Sequence, residues 1–370
     1  MSTFSASTPP AGQPPQLSYR SLPILASYLI LAGSLALNAC RAIVVRYQAR
    51  QKGKDWAHPQ RRAHFLVFAA LAALSLGATW YYMFAFFAHS YRNWEAEQSL
   101  ADLADLEMSS FARLELWLQN AKLFREAWET VIETPARFWW SGQIFLWTTG
   151  WSVFLGIMAR RYRIPHVWTY MLLGQIVAIS FAQNLFIATI LVSQQPRPTD
   201  SKKKIQNDWP ESLAAWSPPL YAEVLPVAIS LISTVLVPTV AHTRYFMLIL
   251  LVPHLLLFVP AILRPGRSSS TKARGQGSSE EGTTQRYVTF FQWYTMACVL
   301  VQAHSTFLVL QDMGKDIGVE SVGTLALRLP SVIYEHPAVS SVSWDVIYCT
   351  ITAVAWIVVN GGNPKRMLGR

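Results

Sequence analysis

Three carboxylates lie at the edges of long apolar runs, where an acid could take part in chemistry inside a membrane. They are Glu223, Asp312 and Asp345. Burial disfavours the charged form of a carboxyl group, so any of the three that is buried could act as a general acid. Each also lies near a predicted membrane interface, where solvation costs little, and a structural or topogenic role is the competing interpretation.

A second pair of carboxylates, Asp102 and Asp105, is spaced so that both lie on one face of a helix. Such a pair could hold Mg²⁺ bridging a diphosphate, as in prenyl-diphosphate chemistry. Enzymes of that kind normally use two carboxylate clusters, and the sequence contains no second one. We therefore interpret the pair as a solvated acidic helix start and predict no metal site.

Several amides and imidazoles interrupt the apolar runs. Inside a bilayer such groups either line a polar cavity or form hydrogen bonds between helices. We predict a polar pocket between spans three, four, five and seven, with interhelical hydrogen bonding as the alternative for any single amide. The candidate lining residues are Gln143, Gln175, Gln183, Asn184, His254, Gln302 and His304.

Recognisable catalytic and cofactor motifs are missing. There is no Walker A loop, no G-x-S-x-G, no H-E-x-x-H and no G-x-G-x-x-G after a strand. The cysteines, Cys40, Cys298 and Cys349, lack the spacing of a zinc or redox site. We therefore expect no cofactor.

The composition is that of a polytopic membrane protein. Apolar residues make up 52% of the 370 and charged residues 14%. The apolar residues form runs long enough to cross roughly 30 Å of hydrocarbon. The net charge of +10 comes from Lys and Arg beside these runs, which indicates the lipid bilayer as partner and no nucleic acid.

The apolar runs predict an all-α polytopic transmembrane helix bundle of about eight spans, with seven as the alternative. The spans cover about residues 22–45, 64–87, 138–158, 166–193, 220–240, 245–263, 287–310 and 342–360. Thr134 and Pro135 give an N-cap followed by proline at the first helical position, which predicts the start of span three.

The segments between and beside these spans differ in composition. Residues 1–18 are predicted to be a disordered tail, residues 19–263 a membrane domain, and residues 264–286 a flexible linker. Residues 287–370 then hold spans seven and eight and a basic tail. Between spans two and three, apolar residues recur every three or four positions within 98–133, which predicts an amphipathic interfacial helix or a helix packed on a small extramembrane domain.

The distribution of Lys and Arg among the loops does not clearly indicate which side of the membrane each loop of an eight-span bundle occupies. The loops after spans one, three, five and seven hold 13 Lys and Arg, and the remainder of the chain holds 18. The positive-inside rule therefore discriminates weakly, although the dense basic segment after span one favours a cytoplasmic first loop.

The central third of the chain carries a family resemblance. Residues 133–186 include WWSGQIFLWTTGWSVFLGIM, the turn ARRYRIP and HVWTYMLLGQIVAISFAQNLF. This stretch resembles the fungal multi-spanning membrane proteins of secondary-metabolite clusters, in particular those of indole-diterpene (paxilline-like) pathways. The resemblance implies an endoplasmic reticulum membrane protein that works beside other membrane-bound biosynthetic enzymes.

Three hypotheses for the function follow. The first is an accessory membrane protein that binds or scaffolds a lipophilic terpenoid-type small molecule. The second is a membrane-embedded terpene cyclase or isomerase in which Glu223, Asp312 or Asp345 is the general acid. The third is a small-solute transporter, which would be expected to show an internal repeat with interrupted helices at matched positions, and no such repeat is visible.

Overall fold

The chain is helical throughout the part that the structure describes. The computed structural model describes residues 20–51, 59–98, 109–193, 216–263, 280–317 and 322–369, and every regular element in these ranges is a helix. The all-α prediction is therefore confirmed for the described residues. The helices are α1 (Ser21–Gln51), α2 (Pro59–Glu97), α3 (Ser110–Asn120), α4 (Leu123–Ile132), α5 (Pro135–Tyr162), α6 (Trp168–Ile176), α7 (Ile179–Val192), α8 (Leu220–Val240), α9 (Phe246–Leu256), α10 (Phe258–Ile262), α11 (Glu280–Ile317), α12 (Val322–Val332), α13 (Pro337–Val359) and α14 (Pro364–Met367).

Five of the described helices are long and apolar enough to cross a bilayer. They are α1, α2, α8, α11 and α13, which correspond to predicted spans one, two, five, seven and eight. Their outward surfaces are apolar, as a lipid environment requires, with Trp293 on α11 72% exposed and Leu37 on α1 71% exposed. These features are those of an integral membrane protein.

Helix α5 lies at the centre of the bundle. It begins where the sequence predicts, because the Thr134 hydroxyl accepts a hydrogen bond from the Arg137 amide and Pro135 occupies the first turn. Helices α8, α10, α11 and α13 pack around it, so that it is buried on nearly all sides. A Cβ at Gly156 would lie 2.2 Å from the Pro260 carbonyl oxygen, so only glycine permits this approach of α5 to α10.

The short helices α3 and α14 mark the two opposite ends of the bundle, where the long helices begin and end. The start of α1 lies beside α3, since Glu115 accepts hydrogen bonds from the Ser21 and Leu22 amides. The end of α13 lies beside α14, where Trp356 donates to the Met367 carbonyl. We call these ends the α3 face and the α14 face.

Helices α6 and α7 form a hairpin, so the prediction of one continuous span at 166–193 is wrong. The chain doubles back at Val177 and Ala178, and the two helices pack against each other. The Tyr170 and Thr189 hydroxyls, 2.8 Å apart, join the base of α6 to the end of α7. Both open ends of the hairpin therefore lie toward the α14 face, and its tip lies inside the bundle.

The tip of this hairpin is held by side chains from distant helices. Asp345 on α13 accepts hydrogen bonds from the backbone amides of Ile179, at 3.0 Å, and Ser180, at 2.8 Å. On the other side of the break, the Tyr28 hydroxyl donates to the Ile176 carbonyl. Non-helical backbone at membrane depth requires such partners because lipid offers none.

The amphipathic region between α2 and α5 is not one helix. Residues 99–108, which include Asp102 and Asp105, lie outside the described residues, and the remainder forms α3 and α4. The break arises because Ala121 is extended and the Glu126 carboxylate accepts a hydrogen bond from the Lys122 amide, which caps a new helix.

The linker and the basic tail differ in part from their predictions. Helix α11 begins at Glu280, inside the predicted linker 264–286, whereas residues 264–279 and the predicted tail 1–18 lie outside the described residues. The C-terminal segment is packed against the bundle, because Leu368 is only 5% exposed and its carbonyl accepts a hydrogen bond from Arg161.

The N-terminus of α13 is capped by a histidine in its neutral form. The His336 Nδ1 accepts a hydrogen bond from the Ala338 amide, and the ring meets the edge of His89 at 4.6 Å. Burial, with the nearby His89 and Arg137 adding to it, lowers the pKa of His336 from 6.5 to about 4. Protonation would remove the acceptor that caps the helix.

We expect the stability of the folded protein to fall on acidification through this histidine. Because the folded pKa is below the unfolded value, the contribution of His336 is complete above pH 6.5 and is lost as the pH falls through about 4. His336→Asn, which caps without titrating, is expected to flatten the dependence of the melting temperature on pH over this window. The exposed His242→Asn should leave the dependence unchanged, and an unaltered slope in His336→Asn would contradict the assignment.

Candidate functional site

A large cavity lies among α5, α7, α11 and α13. Its volume is about 610 Å³, and α14 and Leu368 close it at the α14 face. The cavity exists because α11 and α13 both pack against α5 but scarcely touch each other. Its size is that of sites that hold small organic ligands.

The walls of this cavity are apolar and aromatic. Trp147, Phe154 and Trp356 contribute rings, and Ile187 and Met367 add aliphatic surface. No Asp, Glu, Lys, Arg or His from the described part of the chain lines it. A ligand of this cavity would therefore be held mainly by its hydrocarbon surface.

One buried amide supplies the polar contact. Gln183 is 7% exposed and lines the cavity, and its side-chain amide forms no hydrogen bond with any other described residue. The neighbouring Thr352 hydroxyl is already engaged, since it accepts from Asn184 and donates to the Tyr348 carbonyl. Gln183 can therefore offer both a donor and an acceptor to a hydroxyl or carbonyl group of a ligand.

The cavity opens sideways between α11 and α13. Gln292, Thr295 and Ile357 lie on its rim and are exposed, whereas Trp151 and Gln183 on its inner wall are buried. The rim lies on helices whose outer surfaces are apolar. A lipophilic molecule could therefore enter from the bilayer without crossing water.

A smaller cavity of about 150 Å³ adjoins the tip of the α6–α7 hairpin. Three predicted residues, Gln175, His254 and Asp345, line it. Each of the three already makes a hydrogen bond within the protein. Gln175 donates to the His254 carbonyl at 2.8 Å, the His254 Nδ1 lies 2.6 Å from the Leu250 carbonyl, and Asp345 caps α7.

Glu223 belongs to a buried ion cluster near the α14 face. The carboxylate is 2% exposed, accepts a hydrogen bond from the Tyr287 hydroxyl at 2.9 Å, and lies 3.4 Å from the Arg160 guanidinium. Arg286 approaches its other oxygen at 3.5 Å. Both carboxylate oxygens of Glu223 therefore have partners within the protein, and the residue lines none of the cavities described here.

The other predicted residues take structural or surface positions. Gln143 donates to the Trp139 carbonyl one turn earlier on α5, and Gln302 on α11 donates to the same carbonyl, so Gln302 joins α11 to α5 and neither residue lines the large cavity. His304 is exposed on α11, and Asp312 is half-buried near the end of that helix. No group of three His, Cys, Asp or Glu that could hold a metal occurs in the described residues.

Sequence reasoning missed two buried arginines. Arg160 and Arg161, which belong to the predicted turn ARRYRIP, lie instead in the last turn of α5 and are 4% and 5% exposed. Arg161 donates to Thr284 at 2.7 Å as well as to the Leu368 carbonyl. The available signal was Glu223, since a carboxylate in the first turn of an apolar helix needs a cationic partner.

Known proteins do not supply a function. No protein-family model, curated protein or solved structure matches this chain. The functional argument therefore depends on the cavities themselves.

Proposed function

We propose that this protein binds a lipophilic small molecule in the large cavity, as an accessory component in the biosynthesis of a terpenoid-type secondary metabolite. The cavity of about 610 Å³ carries the proposal. Its aromatic walls fit a fused hydrocarbon skeleton, and Gln183 fits a ligand with one hydroxyl or carbonyl group. A charged or strongly polar ligand would find no partner there.

The family resemblance supports the same function. The stretch 133–186 that carries it forms α5 and the hairpin, which supply Trp147, Phe154 and Gln183 to the cavity wall. The resemblance adds an endoplasmic reticulum location and other membrane-bound biosynthetic enzymes as partners. These remain part of the proposal.

The geometry favours binding over catalysis. None of the three candidate acids lines the large cavity, and both oxygens of Glu223 already face arginines. A cyclase or isomerase would have to use Asp345 in the small cavity, where about 150 Å³ leaves no room for a polycyclic product. Enzymatic acid catalysis is therefore the alternative.

We further propose seven membrane crossings and one re-entrant hairpin. The crossings are α1, α2, α5, α8, the α9–α10 pair, α11 and α13, while α6 and α7 enter and leave at the α14 face. Counted by position in the sequence relative to these crossings, 22 of the 31 Lys and Arg fall on the α14 side, which gives a clearer asymmetry than eight spans do. The nine on the α3 face are Arg20, Arg92, Arg113, Lys122, Arg125, Arg137, Arg244, Lys315 and Arg328.

The α14 face is accordingly cytoplasmic by the positive-inside rule. Helices α3 and α4 then lie at the opposite surface. Their exposed Phe111 and Phe124, at 57% and 52%, would enter the headgroup zone, as expected for interfacial amphipathic helices.

Filling the cavity is expected to abolish binding without unfolding the protein. Ala353 is half-buried and lines the cavity, so the indole of Ala353→Trp would occupy space that a ligand needs. We expect the affinity for geranylgeraniol, a C20 isoprenoid alcohol, to fall at least about tenfold, by roughly 1.4 kcal/mol. Gln183→Leu, which removes one hydrogen bond of about 1 kcal/mol, should weaken it about fivefold.

Quenching of tryptophan fluorescence in the purified protein measures this binding. Val354→Trp adds the same indole to the neighbouring position, which is 54% exposed and does not line the cavity, and it should bind like the parent. Equal affinities for Ala353→Trp and Val354→Trp would refute the site.

The accessory role is tested in the native host. Deletion of the protein should lower the yield of a lipophilic product, and Val354→Trp should restore it while Ala353→Trp does not. If instead a defined intermediate accumulates and inserted Asp345→Asn fails to restore product, the enzyme alternative replaces the proposal.

A further inference from the structure

A third cavity, of about 310 Å³, lies at the α14 face between the ends of α1, α5 and α7. It is lined by three arginines from two separate parts of the chain. Arg46 and Arg50 are one turn apart on α1, and Arg163 follows the last residue of α5. Among the residues that the structure describes, no Asp or Glu lines it.

Two of these three arginines, Arg46 and Arg163, have no partner among the described residues. Their side chains form no hydrogen bond or ion pair with any of these residues, and the Arg46 Nη1 is buried. Leaving a guanidinium N–H desolvated and unpaired is costly, so such a group is a candidate for an anion from outside the chain. Arg160 also has an Nη1 without a hydrogen bond, but its other terminal nitrogen donates to Tyr287, and Arg161 donates to Thr284, so both of these guanidinium groups have partners within the protein.

The backbone holds these guanidinium groups in place. The Arg50 Nη1 donates to the Leu191 carbonyl at 3.0 Å, near the C-terminus of α7. Arg163 has a φ of 50°, a left-handed conformation that favours glycine and is disfavoured for a residue with a Cβ. Glycine would satisfy the helix end better, so the structure gives no local reason for arginine at this position.

We propose that this cavity binds a phosphate group. Guanidinium forks match the geometry of phosphate oxygens and bind them bidentately, and a site with three arginines suits a phosphate that carries more than one negative charge. The same chemistry could come from the headgroup of an anionic lipid or from a soluble phosphorylated ligand. The cavity lies at the end of α1, a helix long and apolar enough to cross a bilayer, and the end of such a helix is where lipid headgroups would meet it.

This inference is independent of the proposed function of the large cavity, because the two share no lining residue. It is tested on the purified full-length chain in a neutral detergent. The melting temperature is measured with added phosphatidic acid, with phosphatidylcholine of the same acyl chains, and with inorganic pyrophosphate. We expect a rise of several degrees with phosphatidic acid or pyrophosphate and none with phosphatidylcholine.

Two variants connect this rise to the cavity. Arg46→Gln and Arg163→Gly should each abolish it, and Arg163→Gly should melt no lower than the parent in the absence of phosphate because glycine relieves the left-handed strain. Arg61→Gln removes an exposed charge near the start of α2, does not alter the cavity, and should keep the full rise.

Comparing phosphatidic acid with pyrophosphate distinguishes a lipid headgroup from a soluble phosphorylated ligand. A rise with phosphatidic acid alone assigns the cavity to a lipid headgroup, and a rise that pyrophosphate reproduces assigns it to a soluble phosphate. The proposal fails if neither compound raises the melting temperature, or if the rise persists in both Arg46→Gln and Arg163→Gly.

Discussion

Asp345→Ala is expected to destabilise the protein by about 2–6 kcal/mol, because it leaves two buried amides of the hairpin tip unsatisfied at about 1–3 kcal/mol each. Asp345 is 8% exposed, and its two oxygens accept from Ile179 and Ser180. Water cannot replace it easily at this depth. Thermal unfolding in detergent, followed by tryptophan fluorescence, measures the loss.

Milder substitutions distinguish a role of Asp345 as a helix cap from a role as a catalytic acid. Asp345→Asn keeps one acceptor oxygen, so we expect about half of the loss in stability. The control is Asp312→Asn, because Asp312 is half-buried and its side chain has no partner among the described residues. Its free energy of unfolding should stay within about 0.5 kcal/mol of the parent's value. If Asp345→Ala melts at the parent's temperature, the cap does not stabilise the hairpin. A capping role also predicts that product formation by Asp345→Asn follows the amount of inserted protein.

Glu223→Leu is expected to cost about 3–5 kcal/mol, as observed when one partner of a buried ion pair is removed. The loss arises because Arg160, only 4% exposed, would keep a buried charge without its carboxylate. Arg286 is 32% exposed and can reach solvent, so it should contribute little to the loss.

The double variant Arg160→Met and Glu223→Leu provides the decisive comparison. Replacing both members by apolar residues of similar volume removes the unpaired charge, and we expect it to recover most of the stability lost in Glu223→Leu. The free energy of unfolding is measured by chemical or thermal denaturation for the parent, Glu223→Leu, Arg160→Met and the double variant, which together form a double-mutant cycle. A double variant less stable than Glu223→Leu would mean that Arg160 is not held by this pair.

The sequence predicts the helices well wherever membrane thickness alone decides their length. Span five was predicted at 220–240 and the helix occupies Leu220–Val240, since Pro218 and Pro219 precede it and the apolar run ends beside His242. The start of α5 was likewise visible, because its cap and first-turn proline are local in sequence.

The hairpin could not be predicted, because its cause is not local. The run 166–193 has the length and hydrophobicity of a span, and no proline or glycine occupies the break at Val177 and Ala178. What stabilises the break is the cap from Asp345 and the packing of Gly174, where a Cβ would lie 2.7 Å from the ring of Trp151. A window of sequence cannot contain these partners.

Only part of the candidate site could be predicted from the sequence, again because many of its contacts are not local. Gln183 was recognised as a cavity-lining residue because an amide in an apolar run is locally conspicuous. The aromatic walls were not recognised, since tryptophan and phenylalanine in a span are more often in contact with lipid or core. Arg160 and Arg161 were missed because burial of a cation depends on a partner that the folded structure brings from elsewhere.

The cap on the hairpin also restricts when the protein can assemble during synthesis. Asp345 lies 166 residues after Ile179, so at roughly 5–20 residues per second the ribosome needs about 10–30 s to supply it. During that interval the exposed amides of the tip must stay away from lipid. Helices α6 and α7 are therefore expected to enter the bundle last, and a ribosome stalled before α13 should leave them accessible at the aqueous surface.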